Sequence, residues 1–143
     1  MNQVSEILGD KGQDVLRIDA EASVLEAVKQ MVAANVGSLL VTKDGETAGI
    51  VTERDYLRSV ALEGPADEQV TVREIMSSPL IVASPQTTVD ECMALMTDRR
   101  IRHVPVVDEG RVVGVVSIGD LVKFKSKLQT FEIQYLTNYI TAG

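Results

Sequence analysis

Residues 38–55 read SLLVTKDGETAGIVTERD and residues 103–120 read HVPVVDEGRVVGVVSIGD. Each holds two β-rich runs, SLLVT with TAGIVT and HVPVV with RVVGVVS. They are joined by Lys43-Asp44-Gly45 in one stretch and Asp108-Glu109-Gly110 in the other. An acidic residue followed by glycine between two such runs is a hairpin signal, because a tight hairpin turn needs positive φ. Each hairpin leads into a helix starting near Glu53 or Ile118. The two stretches lie 65 residues apart, and Gly45/Gly110, Gly49/Gly114 and Asp55/Asp120 are identical pairs at that offset.

The same offset extends backwards. It matches Val24 with Val89, Glu26 with Glu91, Met31 with Met96, Val41 with Val106 and Val51 with Val116. Ser23-x-x-Glu26 and Thr88-x-x-Glu91 read as capping boxes that open helices. Val24, Ala27, Val28, Met31 and Val32 follow helical spacing, as do Val89, Cys92, Met93 and Met96. Ahead of these helices stand extended pieces, Val15–Ile18 and Leu80–Val82, and short apolar turns, Val4–Leu8 and Val72–Met76. VSEIL at 4–8 and VREIM at 72–76 are 68 apart, because the first copy carries three more residues in its GDKGQD loop. Two copies of one β-α-β-β-α unit therefore stand head to tail. The division is 1–64 for repeat 1, 65–71 for a linker, 72–126 for repeat 2 and 127–143 for a C-terminal helical extension. The fold class is α/β (α+β). Neither copy is large enough to cover both faces of its small sheet, so pseudo-two-fold pairing of the halves is expected to complete one core. From Asp120 to about Ile140 no Pro or Gly interrupts, and Leu121, Phe124, Leu128, Phe131, Tyr135 and Tyr139 recur at threes and fours. That predicts a long final helix whose apolar face either meets a second copy, giving a homodimer, or folds back on its own module.

Composition limits the function. Hydrophobic residues make up 45% of 143 residues and aromatics 3%, so the core is aliphatic. No apolar run approaches the roughly 20 residues of a membrane span. The first residues have no basic-then-apolar leader, which points to the cytoplasm. A single cysteine, Cys92, excludes an internal disulfide and a cysteine-clustered metal site, and its place in the apolar stripe predicts burial. The net charge is −7: residues 1–70 hold 6 Lys/Arg against 13 Asp/Glu, residues 71–143 hold 8 against 8. An acidic chain without stacking aromatics argues against DNA binding. Arg99, Arg100, Arg102 and His103 nonetheless concentrate cations in five positions. They read either as a helix end complementing its dipole or as an anion site. One histidine, no Walker-type loop and no metal-ligand cluster leave no catalytic constellation.

The polar residues converge on the second strand-to-helix turn of each copy, Thr52-Glu-Arg54-Asp55 and Ser117-Ile-Gly119-Asp120. A Thr or Ser followed at +3 by Asp is a capping box. The same geometry also suits a nucleotide: a helix N-terminus and a hydroxyl for phosphate, and an acceptor-only carboxylate for a ribose diol.

With the repeat period, GIVTERD, GVVSIGD and RIRHVPVVDEG on the page, the chain resembles the CBS-domain family, named for cystathionine β-synthase. Two such domains in tandem form a Bateman module, and the resemblance covers essentially the whole chain, as in small bacterial CBS-pair proteins. The resemblance implies regulatory binding of AMP, ADP, ATP, NAD(H) or S-adenosylmethionine in clefts between the halves, without catalysis and without a metal or required cofactor. Carried over residue by residue, it groups Thr52, Arg54 and Asp55 with Ile81, Val82, Thr87, Arg102 and His103. It groups Ser117 and Asp120 with Ala22, Gly37 and Ser38. The second group has Gly119 where the first has Arg54, Ala22 where the first has Thr87, and Gly37 where the first has Arg102, so the first is expected to be the stronger anion site. The competing function is a ligand-independent dimerisation or scaffold module with vestigial clefts. No regulated target protein is named by the residues.

Overall fold

The computed structural model describes residues 2–11, 15–65 and 68–127. In chain order they form α1 (Val4–Lys11), β1 (Arg17–Asp19), α2 (Val24–Ala34), β2 (Ser38–Lys43), β3 (Glu46–Thr52), α3 (Glu53–Glu63), α4 (Val72–Ile75), α5 (Val89–Arg99), β4 (His103–Asp108) and β5 (Arg111–Ser117). A further helix, α6, occupies the described residues 118–127. The expected long continuation of that helix falls on residues 128–143, outside the described residues. The mixed α/β class agrees with the sequence reading, and the helix–hairpin–helix order recurs in both copies.

The two hairpins match in detail. β2 pairs antiparallel with β3, and β4 with β5. Asp44 and Gly45 sit at φ 53° and 82°, Glu109 and Gly110 at 51° and 77°. Two positive φ values in a row give the turn twist that flanking strands follow, so a glycine closes each loop. Each pair carries a register irregularity at the same place, between Val41 and Thr42 and between Val106 and Val107. α2 and α5 end alike, with Asn35 and Arg100 in the left-handed region, their N–H groups returning to the last turn. Thr88 and Glu91 form a full capping box. The N–H and hydroxyl of Thr88 hold the Glu91 carboxyl below the usual carboxylate range. At Ser23 only the serine half forms, its hydroxyl accepting from the Glu26 N–H at 3.1 Å.

The first strand differs between copies. β1 lies parallel to β2, and the Leu40 N–H donates to the Leu16 carbonyl at 3.0 Å. The expected counterpart, Leu80–Val82, is not a strand; only Ala83 bridges, to Val106. Pro105 stands where the first copy has Leu40, and proline has no N–H to give. The equivalent ladder bond is therefore impossible, and pairing stops at Ala83.

The chain divides into two compact units, residues 14–82 and residues 1–13 with 83–143. They do not coincide with the repeats, because each repeat's leading helix packs in the other unit. In the second unit Val4, Ile7 and Leu8 of α1 join a buried cluster with Val89, Cys92, Met96, Val104, Val106, Val116 and Leu121. In the first, Val72 of α4 joins Ile18, Ala27, Met31, Leu39, Val41 and Val51. Each unit thus has its own buried cluster, completed by an exchanged helix. Backbone bonds pin the exchange: Val4 N–H to the Thr87 carbonyl at 2.8 Å, and Val72 N–H to the Ala22 carbonyl at 2.8 Å.

Candidate functional site

In unit 14–82 the strand-to-helix turn is built by β3 entering α3. Thr52 is the N-cap in an extended conformation, and the capping box is complete. The Asp55 N–H donates to Thr52 Oγ1 at 3.2 Å, while the Thr52 N–H and hydroxyl donate to Asp55 Oδ2 at 2.9 and 3.1 Å. A third donor comes from 22 residues away: Ser77 Oγ donates to Asp55 Oδ1 at 3.1 Å. Asp55 is only 7% exposed and is the one buried residue of α3. A buried carboxylate is tolerable only when its oxygens are hydrogen-bonded, and this one is bonded on both. Arg54 is exposed beside it. Gly37 lends its carbonyl to the Glu53 N–H at 3.0 Å, and Ser38 is the register partner of Thr52. Ala22 lies in the turn before α2, its N–H on the Asp19 carbonyl at 3.0 Å.

In the other unit β5 enters α6 in the same way. The Ser117 N–H donates to Asp120 Oδ2 at 2.8 Å, and the Asp120 N–H to Ser117 Oγ at 3.1 Å. Asp120 is half-buried. The Arg102 carbonyl accepts from the Ile118 N–H at 2.8 Å, and His103 is the register partner of Ser117. Of the cation cluster, Arg99 pairs with its neighbour Asp98 at 3.5 Å, and Arg100 is the helix C-cap. Arg102 is exposed immediately before β4. Thr87 closes the turn before α5, where its hydroxyl accepts from the Ser84 N–H at 3.0 Å.

Within each unit, then, the structure brings Thr52 and Asp55 beside Gly37 and Ser38, and Ser117 and Asp120 beside Arg102 and His103. Ile81 and Val82 lie in unpaired chain, with Val82 44% exposed. The residue missed by sequence reasoning is Ser77, whose hydroxyl is aimed at Asp55 by tertiary packing. Cys92 is buried, and desolvation raises its thiol pKa. Among the described residues no group of three His, Cys, Asp or Glu is disposed to hold a metal ion. No helix among them is long and apolar enough to cross a membrane.

Two copies of one helix–hairpin–helix unit, each closing on a hydroxyl-x-x-Asp turn at a helix start, define a paired-repeat module. The CBS domain model matches residues 4–62 and again 72–127, so the chain belongs to the CBS-domain family as a tandem pair. It is 40% identical to the mitochondrial CBS domain-containing protein CBSX3 of Arabidopsis thaliana, across 98% of this chain and 72% of that one. A putative signal-transduction protein with CBS domains from Burkholderia ambifaria superposes with a TM-score of 0.81 at 42% identity, covering 85% of this chain and 92% of the other. The CBS domain pair of protein MJ0100, solved in complex with 5′-methylthioadenosine and S-adenosyl-L-methionine, gives a TM-score of 0.77 at 28% identity, covering 89% and 98%.

Proposed function

We propose that this chain is a regulatory module that binds an adenosine nucleotide and does no chemistry of its own. The observation that carries the reading is the duplicated turn, Thr52-x-x-Asp55 and Ser117-x-x-Asp120, each with its hydroxyl and carboxylate placed at a helix start. A related pair holding two adenosine compounds supports the ligand class. The contact residues proposed are Thr52, Arg54, Asp55, Ile81, Val82, Thr87, Arg102 and His103 for one ligand, and Ala22, Gly37, Ser38, Ser117 and Asp120 for another. Arg54 and Arg102 are exposed guanidinium groups suited to phosphate, which makes the first set the stronger anion binder. The candidate ligands are AMP, ADP, ATP, NAD(H) and S-adenosylmethionine.

Ligand binding to the folded state stabilises it by about 2.7 kcal/mol at a hundredfold excess over Kd. Thermal melts with each candidate are expected to show a concentration-dependent rise for at least one. Arg102→Ala is expected to lose more AMP affinity than Ser117→Ala. Flat melts across the whole panel would defeat the reading.

A second reading is favoured by one observation. Leu57 and Leu62 on α3 are 65% and 78% exposed, and Val122, the repeat counterpart of Leu57, is 49% exposed. Repeated apolar side chains at equivalent helix positions suit self-association, and a homodimer that forms with or without ligand is the outcome that reading predicts. Sedimentation with and without AMP separates the two.

A further inference from the structure

We infer that Ser77 is a built-in competitor for the first turn's carboxylate, and that it sets how strongly the Thr52/Asp55 turn takes a ribose diol. The inference rests on the nucleotide reading above and deepens it. A carboxylate offers about four lone-pair sites over two oxygens. Oδ2 of Asp55 already receives the Thr52 N–H and hydroxyl, and Oδ1 receives the Ser77 hydroxyl. With Oδ2 filled, one site is left, on Oδ1; a single hydroxyl can take it, but both hydroxyls of a cis-diol reach the carboxylate only if the Ser77 hydroxyl leaves.

That hydroxyl is held in place from both sides of its own backbone. The Ser77 N–H donates to the Ile50 carbonyl at 2.8 Å, and the Ile50 N–H donates to the Ser77 carbonyl at 3.1 Å. The segment lies so close to β3 that a Cβ on Gly49 would stand 2.7 Å from the Ser77 carbonyl oxygen. Glycine at 49 thus admits the strand contact that presents Ser77 to Asp55. The other copy is built differently. In the alignment of VSEILG with VREIMS, Gly9 occupies the place of Ser77 and brings no side-chain hydroxyl. α1 stays helical through Lys11, whereas α4 ends at Ile75 and the chain then extends to meet Ile50. The two turns share a motif, and the Ser77 hydroxyl has no counterpart at Gly9.

The test is calorimetric titration of AMP and 2′-deoxy-AMP into the intact protein, with Asp120→Asn as the common background so that the first turn is read. Ser77→Ala keeps the backbone bridge and removes the hydroxyl. It is expected to tighten AMP by roughly three- to tenfold, the worth of one hydrogen bond no longer displaced, and to move 2′-deoxy-AMP by less than about twofold. Ser77→Thr retains a hydroxyl and is expected to match the background. If Ser77→Ala leaves AMP affinity unchanged or weakens it while Asp55→Asn weakens it, Ser77 does not compete and the inference falls. If AMP binds but neither Asp55→Asn nor Ser77→Ala alters it, the diol is held elsewhere; the inference falls and the nucleotide reading stands. If the wild type and every variant fail to bind any of the candidate ligands, the nucleotide reading falls and takes the inference with it.

Discussion

At the scale of single residues, the same side chain carries structural and functional demands. Asp55 is both the second half of a capping box and the proposed diol acceptor, and its burial shows how fully the first role occupies it. Cys92 is placed by packing. It sits in an aliphatic cluster, and burial raises its thiol pKa. The sign of the linkage follows: the folded protein keeps the proton to higher pH than the unfolded chain. Its contribution is complete below the unfolded thiol's pKa and falls away as pH rises through the folded one. The thiolate is the reactive form, so Ellman's reagent at pH 8 is expected to label Cys92 slowly in the native protein and at once in denaturant. Rapid native labelling would place the thiol at the surface. The Thr52 and Thr88 caps were readable because a cap needs only residues three apart. Ser77 was not, because its hydroxyl reaches Asp55 through a strand contact between positions 22 residues apart.

At the scale of elements, two glycines at equivalent strand positions face different neighbours. A Cβ at Gly49 meets a backbone carbonyl at 2.7 Å; one at Gly114 meets Leu8 Cδ2 at 2.5 Å. A leucine methyl can rotate away, whereas the Ser77 carbonyl is tied into a bridge with Ile50. Gly49→Ala is therefore expected to cost about 2–3 kcal/mol and Gly114→Ala about 1 kcal/mol, within the range for overpacking a filled core. Urea unfolding of both variants checks the order, and Leu8→Ala combined with Gly114→Ala is expected to recover part of the smaller loss. The hairpins were legible from Asp44-Gly45 and Glu109-Gly110, because turn chemistry is local. The absent strand at Leu80–Val82 turned on Pro105, a residue whose meaning appears only when it is set against Leu40, the donor in the other copy.

At the scale of the whole molecule, the repeat announced itself through its 65-residue spacing, but the assignment of α1 and α4 to opposite units did not. The hydrophobic pattern says that Val4, Ile7 and Leu8 form an apolar face, and it is silent on which sheet receives them. Removal of residues 1–11 is expected to loosen the unit containing the second repeat and spare the first. Two of the three side chains lost are worth about 2 kcal/mol or more each by large-to-small measurements. Hydrogen exchange makes the check: faster exchange at Val104, Val106 and Val116, with Leu39, Val41 and Val51 unchanged. Uniform loss of protection, or loss in the first repeat, would contradict the exchange of helices.

That exchange also fixes an order of events during synthesis. The unit of residues 14–82 is continuous, so it can close as soon as that stretch has left the ribosome. α1 is made before its own sheet and belongs to the unit finished last, since β4, β5 and Leu121 lie about a hundred residues downstream. An eight-residue helix has little stability alone. At about 5–20 residues per second, the apolar face of Val4, Ile7 and Leu8 stays without its sheet for several seconds while the intervening chain is translated. One unit can therefore be complete while the apolar face of α1 still waits for the sheet that will cover it.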